Sequence, residues 1–184
     1  ESFSRTLIKL AEKNDRIVAI TAAMAKGTGL DAFARKFPSR FYDVGIAEEH
    51  AVSFASGLTA GKLIPIVAIY STFIQRSIDQ IIHDISVQNF PIVFCLDRAG
   101  PVPNDGETHQ GIFDIALLRP IPNLSILSPV SGDDLKVCLE WAINSNKAVS
   151  IRYPKTSCPS EIPIFASEIQ EGRGILIKSE EYAP

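Results

Sequence analysis

Five short runs rich in β-branched and other apolar residues, at positions 16–21, 65–70, 91–97, 124–128 and 148–152, are separated by segments long enough to hold helices. That alternation predicts a parallel sheet with helical crossovers. Residues 64–69 and 92–96 are nearly continuous in apolar side chains, as strands covered on both faces require. A shorter apolar run at 41–46 reads as a further strand. Helices are expected at 2–13, at 48–60, and from Ser131, with Asp133 and Asp134 in its first turn, to Asn144. Ile74, Ile78, Ile81, Ile82 and Ile85 recur at helical spacing, which predicts one buried stripe and leaves Gln75, Arg76, Asp79 and His83 on other faces. The fold class that follows is α/β: a doubly wound, mainly parallel sheet with helices on both faces.

Beyond Arg152 the pattern changes. Pro154, Pro159 and Pro163 punctuate a polar stretch that cannot carry regular structure far. Residues 1–156 are therefore expected to form one domain, and 157–184 a linker with a strand at 174–178 that begins another; the chain reads as an excised piece of a longer protein. Its 184 residues suit a single core, and no apolar run approaches the roughly 20 residues of a membrane span. A net charge of −3 without any basic block gives no footprint for nucleic acid or membrane, so small molecules are the expected partners. Cys95, Cys138 and Cys158 are odd in number and widely spaced, suggesting neither a disulfide framework nor a zinc site, and a cytoplasmic location fits.

In parallel α/β sheets ligands sit outside the carboxyl ends of the strands, which directs attention to the loops after Tyr70 and Asp97. The second loop, 98–111, carries Arg98, Asp105, Glu107, His109 and three glycines. Composition alone leaves it equally a ligand loop or a solvated connection. Glu48 and Glu49, taken alone, read first as acids that complement the dipole of the helix they open. His50 and His83 lack partners at metal-ligand spacing and read as helix-surface histidines, and Phe73 alone reads as core packing.

Three local sequences are more specific. Asp43-Val44-Gly45-Ile46-Ala47-Glu48-Glu49-His50-Ala51, Tyr70-Ser71-Thr72-Phe73-Ile74-Gln75-Arg76, and Asp97-Arg98-Ala99-Gly100 through Asp105-Gly106-Glu107-Thr108-His109-Gln110-Gly111 resemble, in order and spacing, consecutive signatures of the 1-deoxy-D-xylulose-5-phosphate synthases, in the transketolase-like group of thiamine diphosphate enzymes. The resemblance runs from about Ser2 to Lys155 and implies the central, pyrimidine-binding domain. It implies thiamine diphosphate and Mg2+ as cofactors, with metal and diphosphate anchored by an amino-terminal domain whose G-D-G motif does not occur here. The isolated chain is then expected to be inactive and to bind the cofactor weakly.

The resemblance also implies roles. Glu48 matches the glutamate that shares a proton with N1' of the aminopyrimidine, promoting loss of the thiazolium C2 proton. Met24 and Ile46 match apolar walls around that carboxyl, Phe73 the aromatic that stacks on the pyrimidine, and Arg76 a polar partner. Tyr70, Arg98, Asp105 and His109 match positions approaching the acceptor, with His109 also carried as catalytic. The implied reaction joins pyruvate to glyceraldehyde 3-phosphate with loss of CO2, giving 1-deoxy-D-xylulose 5-phosphate for isoprenoid, thiamine and pyridoxal precursors. The family's habit implies a homodimer. Lys155 stands where the family has a second phosphate-binding arginine, keeping the charge but losing the planar fork. Glu49 replaces a more usual glutamine, and 101–104 differs from the commoner loop. Transketolase itself, or the β subunit of a 2-oxo-acid dehydrogenase, is the alternative enzyme reading; an inert structural module is the non-enzyme one.

Overall fold

The computed structural model describes residues 1–156 and 169–174. A six-stranded sheet, all parallel, runs in the order β2-β1-β3-β4-β6-β5. Its strands are β1 (Ile17–Thr21), β2 (Phe41–Asp43), β3 (Ile64–Tyr70), β4 (Val93–Asp97), β5 (Leu124–Leu127) and β6 (Ala148–Arg152). The helices are α1 (Ser2–Lys13), α2 (Ala25–Thr28), α3 (Asp31–Lys36), α4 (Glu48–Ala60), α5 (Ser71–Ile74), α6 (Ile78–Gln80), α7 (Asp114–Leu118) and α8 (Gly132–Asn144). Ser131 caps α8 as its Oγ accepts from the Asp134 N–H at 3.1 Å. The expected linker and the strand at 174–178 fall almost wholly outside the described residues. Within 169–174, Ile169 packs on the core, and Glu171 takes Lys147 through bonds of 2.5 and 2.6 Å.

The alternation of side chains along the strands feeds two cores. Ile17, Ala19, Ile66, Ala68, Val93, Cys95, Val149 and Ile151 face Phe3, Leu7, Leu30, Phe33, Leu135 and Leu139 on one side. Ile20, Val67, Ile69, Phe94 and Leu96 face Ala51, Val52, Ala55, Ile74, Ile81 and Ile85 on the other. Each fully buried aliphatic of this kind contributes about 1.5–3 kcal/mol relative to exposure. Proline is tolerated inside the central strand β3 for a geometric reason. The Ile64 N–H bonds Arg16 O on the β1 side, so the nitrogen of Pro65 points toward β4, whose pairing with β3 starts only at Ile66.

Two expectations need correction. The strand expected over 41–46 ends at Asp43, because Gly45 takes φ 75° in the turn into α4. The isoleucine stripe is not one uniform helix: after α5 the chain passes through a 3-10 turn (Gln75–Ser77) and α6 into a π-helical stretch (Ile81–Ser86). Widening from i+4 to i+5 hydrogen bonds shifts the facing positions, so Ile81 and Ile85 stay buried while Ile82 is left 39% exposed.

Candidate functional site

The carboxyl ends of β1, β2, β3 and β4 carry the residues singled out in the sequence. The turn that presents Glu48 is tied to its neighbour by Asp43. One Asp43 oxygen accepts from the Ala23 N–H at 2.7 Å and the Gly45 N–H at 3.1 Å, joining the loop after β1 to the loop after β2. Sequence reasoning assigned Asp43 no role; its signal was an Asp two residues before Gly, a pattern that folds an Asx turn. Glu48 follows as the first residue of α4 and is 2% exposed. Its Oε1 accepts from Arg76 Nη1 at 3.0 Å, and its Oε2 accepts from none of the described residues. The walls are therefore not apolar throughout: a guanidinium reaches the carboxylate. Met24 lies in the core with Ala51 and Val52, whereas Ile46 is 81% exposed and closes nothing within this chain.

Arg76 also lies over the Phe73 ring, 4.9 Å from its centre. Phe73 is half-buried between two other rings: Tyr70 stacks on it at 6.0 Å and 19°, and His109 meets it edge-on at 5.2 Å and 77°. The structure thus brings Glu48, Arg76, Phe73, Tyr70 and His109 into one continuous line of contacts. Tyr70 owes its place to Gly27, since a Cβ there would stand 1.7 Å from the tyrosine oxygen. Burial pushes the Tyr70 hydroxyl above its ordinary range.

Arg98 takes up the far side of Tyr70. Its backbone is left-handed, at φ 61°, which turns the side chain back beneath the ring, with Cζ 3.7 Å from the ring centre. Nε donates to Asp105 at 2.8 Å, and Nη1 donates to Gly27 O at 3.1 Å and Asp97 at 3.2 Å. Most of this guanidinium is committed inside the chain, and only Nη2 makes no hydrogen bond to a described residue. Lys155 completes the group, donating to the other Asp105 oxygen at 2.5 Å. Those two bonds, from Lys155 and then Arg98, hold the Asp105 carboxyl below its ordinary range, while burial raises that of Asp97 despite the opposing charge of Arg98. Beside Lys155 and Arg98 a cleft of about 600 Å³ runs toward Lys26, Ser131 and Tyr153.

The loop that delivers Asp105 and His109 is pinched at its base, where Gly100 and Gly111 exchange backbone hydrogen bonds of 2.7 and 3.0 Å. A Cβ on Gly111 would stand 2.1 Å from Arg98 O and 2.7 Å from Ser71 Oγ. Gly111→Ala is accordingly expected to force the pinch open and cost about 1–3 kcal/mol of stability. Urea unfolding of the variant checks this; an unchanged midpoint would show that the base of the loop yields freely.

His50 is exposed and stacks on Phe54 at 5.9 Å, and His83 faces Asp79 at 3.8 Å on the outer side of its helix. Among the described residues no three His, Cys, Asp or Glu side chains stand together as metal ligands. No described helix is long and apolar enough to cross a membrane. Burial raises both described thiols, that of Cys138 to about 12, which makes them unreactive.

Residues 1–160 match the model of the transketolase pyrimidine-binding domain. A 1-deoxy-D-xylulose-5-phosphate synthase of Treponema pallidum (strain Nichols) is 54% identical over 180 residues, which are 98% of this chain and 29% of that protein. The enzyme of that name from Clostridium perfringens (strain SM101) is 55% identical over 154 residues, 84% of this chain and 25% of its own. The chain thus spans between a quarter and a third of these relatives' length. Among solved structures, an inactive β4 tetramer of a split-gene transketolase superposes with a TM-score of 0.81 at 28% identity, covering 97% of this chain and 58% of that one. A transketolase from Pichia stipitis shares the fold, with a TM-score of 0.74 at 19% identity over 86% of this chain and 26% of its own.

Proposed function

The chain belongs to the transketolase pyrimidine-binding domain family, and from that premise we propose that it is the central domain of a 1-deoxy-D-xylulose-5-phosphate synthase, joining pyruvate to glyceraldehyde 3-phosphate with release of CO2. The observation that carries the reading is the Glu48 carboxylate, which is buried, anchored through one oxygen by Arg76, and left with its second oxygen unbonded to any described residue beside a half-buried aromatic. These residues fit the aminopyrimidine half of thiamine diphosphate. The second oxygen of this buried side chain, without a partner among the described residues, suits a ring nitrogen carrying a proton, and Phe73 offers a flat face beside it. Among the described residues no three metal-ligating side chains stand together, and the reading assigns the anchors for Mg2+ and the diphosphate to a part of the longer protein outside this chain.

Thiamine diphosphate, when bound, supplies the thiazolium carbon that adds to the donor's keto group. In this reading Glu48 holds a proton at N1' of the pyrimidine, Arg76 fixes the carboxylate that does so, and Phe73 orients the ring, with Met24 on the apolar side; Ile46, exposed in this chain, would form a wall only against a part of the longer protein outside it. Lys155, the remaining Nη2 of Arg98 and the His109 ring face the acceptor; two cations suit its phosphate, and Asp105 and Tyr70 its hydroxyls. Lys155, as a point charge already drawn to Asp105, makes a weaker phosphate ligand than an arginine fork. The longer protein is taken to be a cytoplasmic homodimer. The transketolase alternative is not favoured, because the relatives at 51–55% identity bear the synthase name while the transketolase structures stand at 19–28%.

The test uses the full-length protein with thiamine diphosphate and Mg2+, offered pyruvate with glyceraldehyde 3-phosphate and, separately, ketose phosphates with an aldose acceptor. Product from the first pair is expected. Turnover of the second pair alone would move the assignment to transketolase.

A further inference from the structure

The acceptor loop carries an internal brace. Within the pinch between Gly100 and Gly111, the Gln110 side chain makes three hydrogen bonds, all to the backbone of its own loop. Oε1 accepts from the Val102 N–H at 2.8 Å, and Nε2 donates to Val102 O at 3.0 Å and Gly106 O at 2.8 Å. Val102 is 3% exposed, so its backbone groups depend on these partners, and a buried polar group left unpaired is costly. The stretch from Val102 to Gly106 is folded round one carboxamide, and it is this stretch that delivers Asp105 to Arg98 and Lys155. On the other side, His109 is next to Gln110 in the chain and leans on Phe73, while Thr72 Oγ1 fastens the loop to α5 by donating to Thr108 O at 3.1 Å.

We propose that Gln110 is a positioning residue for the acceptor: it touches no substrate, but by bracing the loop it sets where Asp105 and His109 stand, and so sets acceptor affinity. The proposal rests on the functional reading above. Its chemistry is selective, because the brace needs two N–H donors and one acceptor on the same planar end, which among side chains of this length only a glutamine provides. Glutamate at 110 would lose both donated bonds and set a carboxylate against Val102 O and Gly106 O. Methionine at 110 keeps the volume and loses all three bonds.

The experiment compares the full-length wild type with Gln110→Glu and Gln110→Met. Loss of bonds to a buried backbone predicts an acceptor KM raised about tenfold or more, with Gln110→Glu the worse variant, while pyruvate KM and exchange of the cofactor C2 proton change by less than about twofold. Hydrogen exchange supplies a readout independent of turnover: the Val102 amide is expected to lose protection in both variants while the Gly100 and Gly111 amides keep theirs. An unchanged acceptor KM in a variant whose Val102 amide exchanges freely would overturn the proposal. So would a parallel fall of every kinetic constant together with the melting temperature, which marks a merely structural residue. A wild type that does not turn over this acceptor overturns the functional reading and the acceptor role together, and is recognised before any variant is measured.

Discussion

Replacing Asp114 with alanine is expected to destabilise the domain by about 3–5 kcal/mol, the loss typical of breaking a buried ion pair from one side. Asp114 opens α7 directly after the acceptor loop, and its side chain is 1% exposed. Its two oxygens take Arg152, at the end of β6, in a fork: Nε donates to Oδ2 at 2.7 Å and Nη2 to Oδ1 at 3.2 Å. Arg152 is itself only 18% exposed, so removing the carboxylate strands a mostly buried guanidinium with no other described partner. The charge, rather than the lost volume, should dominate, and a second variant separates the two. Asp114→Leu combined with Arg152→Met removes both charges and fills the space, and is expected to recover most of the loss. Urea unfolding of the three proteins decides it. A single-variant cost below about 1 kcal/mol would mean that the pair is as good as solvated, and a double variant no better than the single would mean that packing, not charge, holds α7 to the sheet.

No local pattern in the sequence announces that pair. Asp114 and Arg152 are 38 residues apart, and each alone looks ordinary: an acid at a helix start and a cation at a strand end. The strands were legible because burial on both faces leaves continuous apolar runs such as Ile-Val-Phe-Cys-Leu at 92–96, and α8 because Ser131, with Asp133 and Asp134 after it, marks its start. Ile82 misled because periodicity assumes one helical pitch, and the π-helical turn at Ile81–Ser86 changes it. At the site, Glu48, Phe73 and the acceptor loop stood out through local resemblance. Arg76 and Lys155 stood out in the same way, but the pairs they form did not: the bond of Glu48 to Arg76 spans 28 residues and that of Asp105 to Lys155 spans 50, and such contacts exist only once the strands are ordered in the sheet. Gln110 and Asp43 lay inside the recognised motifs without a role, because a side chain that bonds only backbone leaves no chemical signature in composition.

Changing Glu48 to alanine or glutamine in the full-length protein is expected to slow loss of the cofactor C2 proton by about 10²–10⁴-fold, the usual worth of a positioned acid–base group. The structure separates this effect from instability. Glu48 is nearly enclosed, but its partner Arg76 is 46% exposed, so a guanidinium deprived of its carboxylate can turn to water, unlike Arg152. The stability cost should therefore stay near the 0–1 kcal/mol of a surface pair. Cofactor affinity should also fall much less than the exchange rate, since Phe73 still offers its ring and the diphosphate is held elsewhere in the proposed reading. Glutamine is the more informative replacement: it keeps the shape of the side chain but cannot take up and return a proton at N1'.

The most direct test is the rate at which the C2 proton of bound thiamine diphosphate exchanges with deuterium, measured by NMR on acid-quenched samples of the full-length wild type and Glu48→Gln, each saturated with cofactor and Mg2+. Slowing by two orders of magnitude or more, with the fold and cofactor occupancy retained, is the predicted result. Equal exchange rates in the two proteins would contradict the role given to Glu48, and with it the central claim that this domain activates the cofactor.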